Sequence, residues 1–208
     1  MFSGNVIDPN AEINRLRDLM PASGRMKTRL MLSESQPGLI SADVPRPWNQ
    51  THPVTLNLAL WQQLTEPQRD LLFLRTICWV TAVNLLRPSW YQGLAATGIV
   101  GTLFELSQGD AVGVLTAAGL ATLAGVQLWR TSRGVRVETA ADERAVEVAQ
   151  RRGYTAAEAA QALLTVIETV PSIEGRSGLN AIDLIRCQNL RSLAGFSPAP
   201  LPERYFQP

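Results

Sequence analysis

Apolar and polar positions alternate with two different periods along the chain, and each period predicts one type of element. Residues 52–58, HPVTLNL, carry apolar side chains at every second position, which predicts a short strand with Pro53 at its start or at a sheet edge. A second alternating stretch, 26–32, predicts another strand. Prolines and glycines break up the segment between these strands and the segment 171–178, which predicts loops and turns in both.

Capping residues and apolar side chains at helical spacing predict five helices. The second of them, 69–86, is apolar on most faces, so we expect it to be buried. Five helices and two short strands predict a helix-rich α+β fold with a small sheet. The predicted helix caps are Asp8, Thr65 with Gln68, Thr155 with Glu158, and Asn180. The predicted helices end near Pro21, Arg87, Gly153, Val170 and Gly195.

The most apolar stretch, 91–129, contains two charged residues, Glu105 and Asp110. Its second arm, 111–129, is uncharged, and as a helix rising about 1.5 Å per residue it would be about 28 Å long, close to the hydrocarbon thickness of a bilayer. The first arm, 91–107, is marginal alone, and SQGD forms a turn between them. We predict a two-helix transmembrane hairpin. The alternative is a buried alanine- and glycine-rich hairpin inside a soluble protein.

Charges and aromatic residues around the predicted hairpin suggest its orientation. Arginines follow the second arm and Arg87 precedes the first, so the positive-inside rule places both ends, and the bulk of the chain, on the cytoplasmic or stromal side. Trp90 and Trp129 flank the hairpin where aromatic belts lie. Small residues recur every four positions, which lets helix backbones approach closely in lipid. The predicted packing residues are Gly93, Thr97, Gly101, Gly113, Ala117, Ala121 and Gly125, with Glu105 continuing the stripe of the first arm.

Composition and charge narrow the classes of partner. The chain has 208 residues, a net charge of +1 and only 18% charged residues, so no strong field attracts nucleic acid. The basic stretch 22–29 lacks an aromatic platform, and no glycine-rich phosphate loop occurs. We therefore expect no nucleic-acid partner and no cofactor. Cys78 and Cys187 lie far apart, without CxxC spacing, which predicts buried reduced thiols.

Candidate chemistry begins with RVETAADERA, residues 136–145, which places Glu138 and Asp142 four apart on one face of a predicted helix. The order of strand, capped helix, apolar hairpin and helix with ExxxD resembles the membrane zinc metallopeptidases of the HtpX and CAAX-prenyl-protease type. VTLNLALWQQLTEPQRDLLFLRTICW and RGVRVETAADERAVEVAQRRGYTAAEAAQALLTVIE carry the resemblance, which covers roughly 50–170. It implies a gluzincin-type fold with the membrane hairpin inserted.

The zinc-binding motif of those enzymes is missing from this chain. Their HExxH positions fall on Leu74, Arg75 and Cys78, and only Glu138 remains at the position of the third ligand. A hydrolytic zinc site needs three protein ligands and an open position for water. The one histidine, His52, precedes the strand. The resemblance therefore implies a peptidase-like framework without a metal and without peptidase chemistry, and we expect no enzyme activity.

A carboxylate that has lost its metal needs another cation if it is buried. Arg75 lies beside the vacated position, and a guanidinium can satisfy two oxygens in fork geometry. We predict that Arg75 pairs with Glu138 or Asp142. The alternative is that both carboxylates are solvated and Arg75 points elsewhere.

Three stretches also resemble an uncharacterised family of cyanobacterial and plastid-lineage membrane proteins: LRDLMPASGRM (16–26), FELSQGDAVGV (104–114) and LIRCQNLRSLAG (184–195). That resemblance implies a thylakoid or plasma membrane and no mechanism. We expect a non-enzymatic scaffold, assembly factor or regulatory factor whose partners are lipid and a membrane protein. One alternative is a pseudoprotease that holds peptides or membrane-protein substrates in the vestigial cleft, near Val54 and Cys78. Another is an enzyme of unrelated chemistry.

The predicted organisation has five parts. They are an N-terminal helix with an irregular segment (1–50), a strand with the degenerate catalytic-type helix (51–90), the transmembrane hairpin (91–130), C-terminal helices (131–197) and a disordered tail (198–208).

Overall fold

The computed structural model describes residues 7–45, 49, 51–82, 100, 119, 122, 123 and 134–195. The chain divides into two compact units, one formed by 1–83 with 135–208 and the other by 84–134. Nearly all of the predicted hairpin, including every predicted packing residue, lies outside the described residues. The predicted tail lies outside them as well.

The described part of the first unit is a helix-rich α+β structure with a small sheet, as predicted. Among the described residues, the sheet has three strands in the order β1-β3-β2. The elements in chain order are α1 (Pro9–Leu19), α2 (Ala22–Lys27), β1 (Thr28–Leu32), β2 (Ile40–Ala42), β3 (His52–Leu56), α3 (Leu58–Trp61), α4 (Glu66–Ala82), α5 (Val135–Gln150), α6 (Ala156–Ile173) and α7 (Ala181–Leu193).

Strand β3 is the central strand of the sheet. It pairs in parallel with β1, from Thr28 opposite His52 to Leu32 opposite Leu56, and antiparallel with β2. Pro53 therefore lies near the start of a central strand, and its predicted alternative place at a sheet edge is wrong. Strand β2 falls in a segment predicted as loop. Its three residues are too few for an alternating pattern, and pairing with β3 decides their conformation.

The predicted strand at 26–32 begins two residues late, because α2 extends to Lys27. Gly24 explains where α2 lies. A Cβ atom at Gly24 would come within 2.6 Å of Ile77 Cγ2, so α2 packs its backbone directly against α4. This contact joins residues 53 positions apart, 77 minus 24, which a local pattern does not reveal.

Two other predicted boundaries are corrected by tertiary contacts. Strand β3 ends at Leu56 because the Asn57 side chain accepts hydrogen bonds from the backbone N–H groups of Ala59 and Leu60 and starts α3. Helix α6 runs three residues beyond Val170 with the buried Pro171 inside it. There the Glu174 carboxylate accepts a hydrogen bond of 2.9 Å from the backbone N–H of Leu39, which ties the end of α6 to the start of β2.

Predicted caps based on local spacing are confirmed. Asp8 caps α1, and full capping boxes join Thr155 to Glu158 and Asn180 to Asp183. At Thr65 one half of the box is present, since its N–H donates to Gln68 Oε1 at 2.8 Å.

Helix α4 forms the centre of the core. It packs against α5 and α6 and also contacts α1, α2 and β2. Every residue from Asp70 to Val80 is buried except Arg75, as the apolar character of this helix predicted. The thiols of Cys78 and Cys187 are free and buried, which confirms the prediction for them. Arg75 is thus the one partly exposed residue in this run, and it faces the candidate site.

Candidate functional site

The residues predicted to form a vestigial metal site lie on two helices that pack against each other. Helix α4 contributes Leu74, Arg75 and Cys78, and α5 contributes Glu138 and Asp142. The Arg75 guanidinium forms an ion pair with Glu138 through Nη2, and its Nε lies 3.4 Å from Asp142 Oδ1. The structure therefore brings Arg75 to both carboxylates, whose four-residue spacing puts them on one face of α5.

Asp142 has a second and better-aligned partner on α7. Arg186 Nε donates to Asp142 Oδ2 at 2.7 Å and Arg186 Nη2 donates to Asp142 Oδ1 at 2.8 Å, a fork that engages both oxygens. Asp142 is 0% exposed, so this pair is fully inside the protein. Arg186 Nη1 also lies 3.3 Å from Asp183 Oδ1 in the first turn of α7.

Sequence reasoning missed Arg186. The signal was available, because Arg186 shares the buried face of α7 with Cys187 and Leu190. A lone charge on the apolar face of a helix requires a buried partner of opposite sign. The sequence did not identify which carboxylate that partner is.

The two arginines are in different electrostatic environments. Burial, and after it the nearby charge of Arg186, lower the pKa of Arg75 to about 10, although Asp142 opposes both effects. Desolvation would also lower the pKa of Arg186, but the charge and hydrogen bonds of Asp142 together with the charges of Asp183 and Cys187 outweigh it, so that pKa is raised. Both guanidinium groups are charged at neutral pH.

The cluster is therefore made of two positive and three negative side chains: Arg75 and Arg186 against Glu138, Asp142 and Asp183. Among the described residues, the buried Nε of Arg75 has no hydrogen-bond acceptor in good geometry, although Asp142 Oδ1 lies 3.4 Å away. The contact of Arg75 with Asp142 is thus electrostatic, and its contact with Glu138 is its closest ion pair.

Cys78 offers neither a nucleophile nor a thiolate ligand. Its side chain is buried in the core with Leu71 and Leu74, and desolvation raises the pKa of its thiol to about 11. Metal binding and nucleophilic attack both need the thiolate, which is scarce at neutral pH under these conditions. Within the described ranges, no group of three or more His, Cys, Asp or Glu side chains is placed to hold a metal ion.

A cavity of about 240 Å³ borders the cluster, between β2, α4, α6 and α7. Arg75 and Arg186 line it together with Leu72, Val166 and Glu174. Pockets that bind small molecules usually measure roughly 300–1,000 Å³, so this one is small. Val54 and Cys78, expected at the wall of a peptide-holding cleft, are both buried.

A second buried polar network, which sequence reasoning also missed, fastens α1 to the start of α4. Glu12 accepts two hydrogen bonds from Arg15, at 2.8 and 2.9 Å, and one of 2.9 Å from Trp61 Nε1. Arg15 also pairs with Asp70, which accepts a hydrogen bond of 2.8 Å from the Tyr154 hydroxyl. Burial alone would raise the pKa of Glu12, but the hydrogen bonds from Arg15 and Trp61 lower it overall.

A family model described as "Protein of unknown function (DUF3318)" matches residues 14–154. The chain belongs to this family. The matched range contains Arg75, Glu138 and Asp142 and ends before Arg186.

The chain is also similar to a cyanobacterial protein. It is 30% identical over 173 residues to "Thylakoid membrane protein slr1949" of Synechocystis sp. (strain ATCC 27184 / PCC 6803 / Kazusa), and the match covers 78% of this chain and 79% of that protein. The expected uncharacterised family with a cyanobacterial member is confirmed. No solved structure matches the chain. The gluzincin-type part of the fold prediction stays a prediction.

The predicted membrane hairpin is not covered by the structural description. Among the residues that are described, no helix is both long enough and apolar enough to cross a bilayer. The two predicted spans, 91–107 and 111–129, stay predictions, since only single residues and one pair within that stretch are described.

Proposed function

We propose that this protein is a non-enzymatic scaffold or assembly factor of a membrane complex, built on a peptidase-like framework whose metal has been replaced by two arginines. The observation that carries the proposal is the double engagement of Asp142 by Arg186, together with the ion pair of Arg75 and Glu138. The carboxylates that would face a metal are instead paired with guanidinium groups of the protein itself.

A comparison of charges supports the replacement of a metal ion by two arginines. A zinc ion contributes two positive charges at the junction of its helices, and Arg75 with Arg186 contributes the same number from α4 and α7. The cluster therefore joins α4, α5 and α7 as a structural metal would join them, and it needs no ion from solution. That suits a protein whose task is to keep a fixed shape.

The same substitutions argue against hydrolysis. The position of the general base is held by Arg75, whose pKa of about 10 keeps it protonated at neutral pH, and a guanidinium that is protonated accepts no proton from water. The buried neutral thiol of Cys78 supplies no replacement. The burial of Val54 favours a scaffold over a protein that holds peptides in an open cleft.

Two observations support a membrane setting. The similar cyanobacterial protein is called a thylakoid membrane protein. In the apolar stretch 91–129, the two large apolar side chains that are described, Val100 and Leu123, are 66% and 69% exposed. Side chains facing lipid would have this exposure when no bilayer is present. We propose that the chain resides in the thylakoid or plasma membrane, with two spans and its bulk on the cytoplasmic or stromal side.

Extraction and native electrophoresis of cyanobacterial membranes containing the full-length tagged chain test this proposal. We expect the chain to remain in the membrane after carbonate washing and to migrate within a larger complex in mild detergent. Release by carbonate would contradict the membrane setting, and migration as a lone chain would contradict the scaffold.

Metal analysis and a proteolysis assay on the same purified protein test the loss of chemistry. We expect well below one zinc per chain and no cleavage of unfolded casein. Stoichiometric zinc with cleavage that a chelator abolishes would refute the proposal. A Cys78→Ser variant is the matched control in the native electrophoresis, where it should migrate within the same complex because a scaffold does not need this thiol.

A further inference from the structure

A second and larger cavity lies where α1, α2 and β1 meet. Its volume is about 540 Å³. None of the described residues that line it is acidic, and three are arginines. The lining includes Arg17, Arg25, Arg29, Ile13, Leu30 and Thr51. We call this space with its three arginines the basic cavity.

In the part of the chain that the structure describes, no acidic side chain pairs with the charges of the basic cavity. Within the described residues, none of the three arginines lies in an ion pair. Arg25 donates only long hydrogen bonds of 3.4 Å to the backbone oxygens of Met20 and Asp18. From 17 to 29 the chain carries four basic residues and one acid, Asp18. This surface is therefore positive, unlike the nearly neutral chain as a whole.

Large apolar side chains stand exposed beside these charges. Met26 is 79% exposed, Met31 is 47% exposed and Leu32 is 38% exposed. In the first unit, the described large apolar side chains with comparable exposure elsewhere are Leu184 and Leu193, both on α7. Met26 separates Arg25 from Lys27, so apolar and basic side chains alternate within one short segment. We call Met26, Met31 and Leu32 the apolar rim.

We propose that the basic cavity and the apolar rim form a docking surface for an anionic bilayer, with the arginines receiving acidic lipid headgroups. Surfaces that combine arginine or lysine with exposed apolar side chains bind at the boundary of headgroups and acyl chains, where both kinds of contact are satisfied. Flexible methionines suit an irregular apolar surface. This inference rests on the membrane setting proposed above and adds which face of the protein touches the lipid.

The charges and side chains of this surface favour acidic lipid headgroups over other anionic ligands. Uncompensated guanidinium groups match phosphate or sulfonate headgroups, which they bind as forks. Single-stranded nucleic acid would need aromatic side chains for stacking, and no residue lining the cavity is aromatic. The protruding methionines would stay in water if the ligand were a small soluble anion.

An environment-sensitive fluorophore at position 26 of the full-length chain tests the docking surface. The two native thiols are buried, so a Met26→Cys variant is labelled at one accessible site. The labelled chain is reconstituted into vesicles of phosphatidylcholine alone or of an equal mixture with phosphatidylglycerol. We expect a blue shift of the emission only with phosphatidylglycerol. About 1 M NaCl should reverse it, because the screening length falls to about 3 Å.

Two matched controls make the result specific. A label at Leu184→Cys, which is also exposed, should show no shift dependent on phosphatidylglycerol. Neutralising the cavity should abolish the shift, whereas neutralising three exposed arginines elsewhere changes the net charge equally and should preserve it. The cavity variant is Arg17→Gln with Arg25→Gln and Arg29→Gln, and the control variant is Arg144→Gln with Arg176→Gln and Arg191→Gln.

Flotation of the same vesicles separates this inference from the proposed membrane setting. A chain that floats with both vesicle types while its position-26 label does not respond overturns the docking surface alone. A chain that floats with neither overturns both proposals. If glycerol phosphate in solution gives the same shift with phosphatidylcholine vesicles, the cavity binds a soluble anion and the bilayer proposal is wrong. Loss of the shift in the control variant would also overturn it.

Discussion

Removing Arg186 should destabilise the protein more than removing any exposed arginine. In an Arg186→Met variant, Asp142 stays 0% exposed and loses the two hydrogen bonds of 2.7 and 2.8 Å that engage its oxygens. Hydrogen bonds to charged groups contribute about 1.5–3 kcal/mol each, which gives roughly 3–6 kcal/mol for two. Breaking a buried ion pair by removing one partner costs about 3–5 kcal/mol, in agreement.

Arg75 moderates this loss. Its Nε remains 3.4 Å from Asp142 Oδ1, so the carboxylate keeps one cation nearby. We therefore expect the lower end of the range, about 3 kcal/mol off the free energy of unfolding. For a chain of this size that lowers the melting temperature by about 6–12 °C.

Thermal unfolding followed by circular dichroism in mild detergent measures the effect. Arg191→Met is the matched control on the same helix, because Arg191 and Glu168 form an exposed pair that contributes at most about 1 kcal/mol. The double variant with Asp142→Leu should recover most of the loss, since no unpaired buried charge remains. An Arg186→Met variant that melts with the control, or a double variant whose losses add, would refute the reasoning.

Three further predictions concern other parts of the fold. Because the pKa of Glu12 is lowered in the folded state, Glu12 stabilises the protein above pH 4.5, and this stability is lost as the pH falls through the folded pKa. Glu12→Gln should therefore flatten the dependence of the urea midpoint on pH in that acid range, and an unchanged dependence would contradict this. Gly24→Ala should lower the free energy of unfolding in urea by about 1–3 kcal/mol, because the new Cβ would lie 2.6 Å from Ile77 Cγ2. Ser23→Ala, at an exposed position of the same helix, should leave it nearly unchanged, and equal urea midpoints for the two variants would contradict the contact. The two buried thiols, each with a pKa of about 11, should resist a thiol reagent at pH 8 until the chain unfolds, and reaction in the folded state at the rate of free cysteine would show that they are accessible.

Sequence predicted those elements whose signals are local. The caps at Asp8, Thr155 and Asn180 each involve residues two or three apart, so the spacing alone identifies them. By contrast, β2 is a strand because β3 lies beside it, and α2 lies where Gly24 lets it approach α4. Both depend on partners far along the chain, which a single pattern does not contain.

The candidate site likewise has contacts that the sequence predicted and one that it did not. The approach of Arg75 to Glu138 and Asp142 was predicted from the metallopeptidase resemblance, which placed Arg75 beside the vacated metal position, and from the spacing that puts two carboxylates on one helix face. The fork from Arg186 joins residues 44 positions apart, and the sequence pattern predicted its helix without pointing to Arg186. A rule that every charge on a buried face needs a buried partner would have singled out Arg186, without naming Asp142.

The geometry of the cluster disfavours a metal ion between α4 and α5, even in a variant that carries a histidine on α4. Both oxygens of Asp142 accept hydrogen bonds from Arg186, and Glu138 forms an ion pair with Arg75, so an incoming dication would have to displace two guanidinium groups, one on α4 and one on α7. Displaced arginines would lie buried beside a positive ion, which costs desolvation and repulsion together. Arg186 pairs with Asp142 whichever residues α4 carries, so a histidine introduced on α4 would not by itself create a metal site.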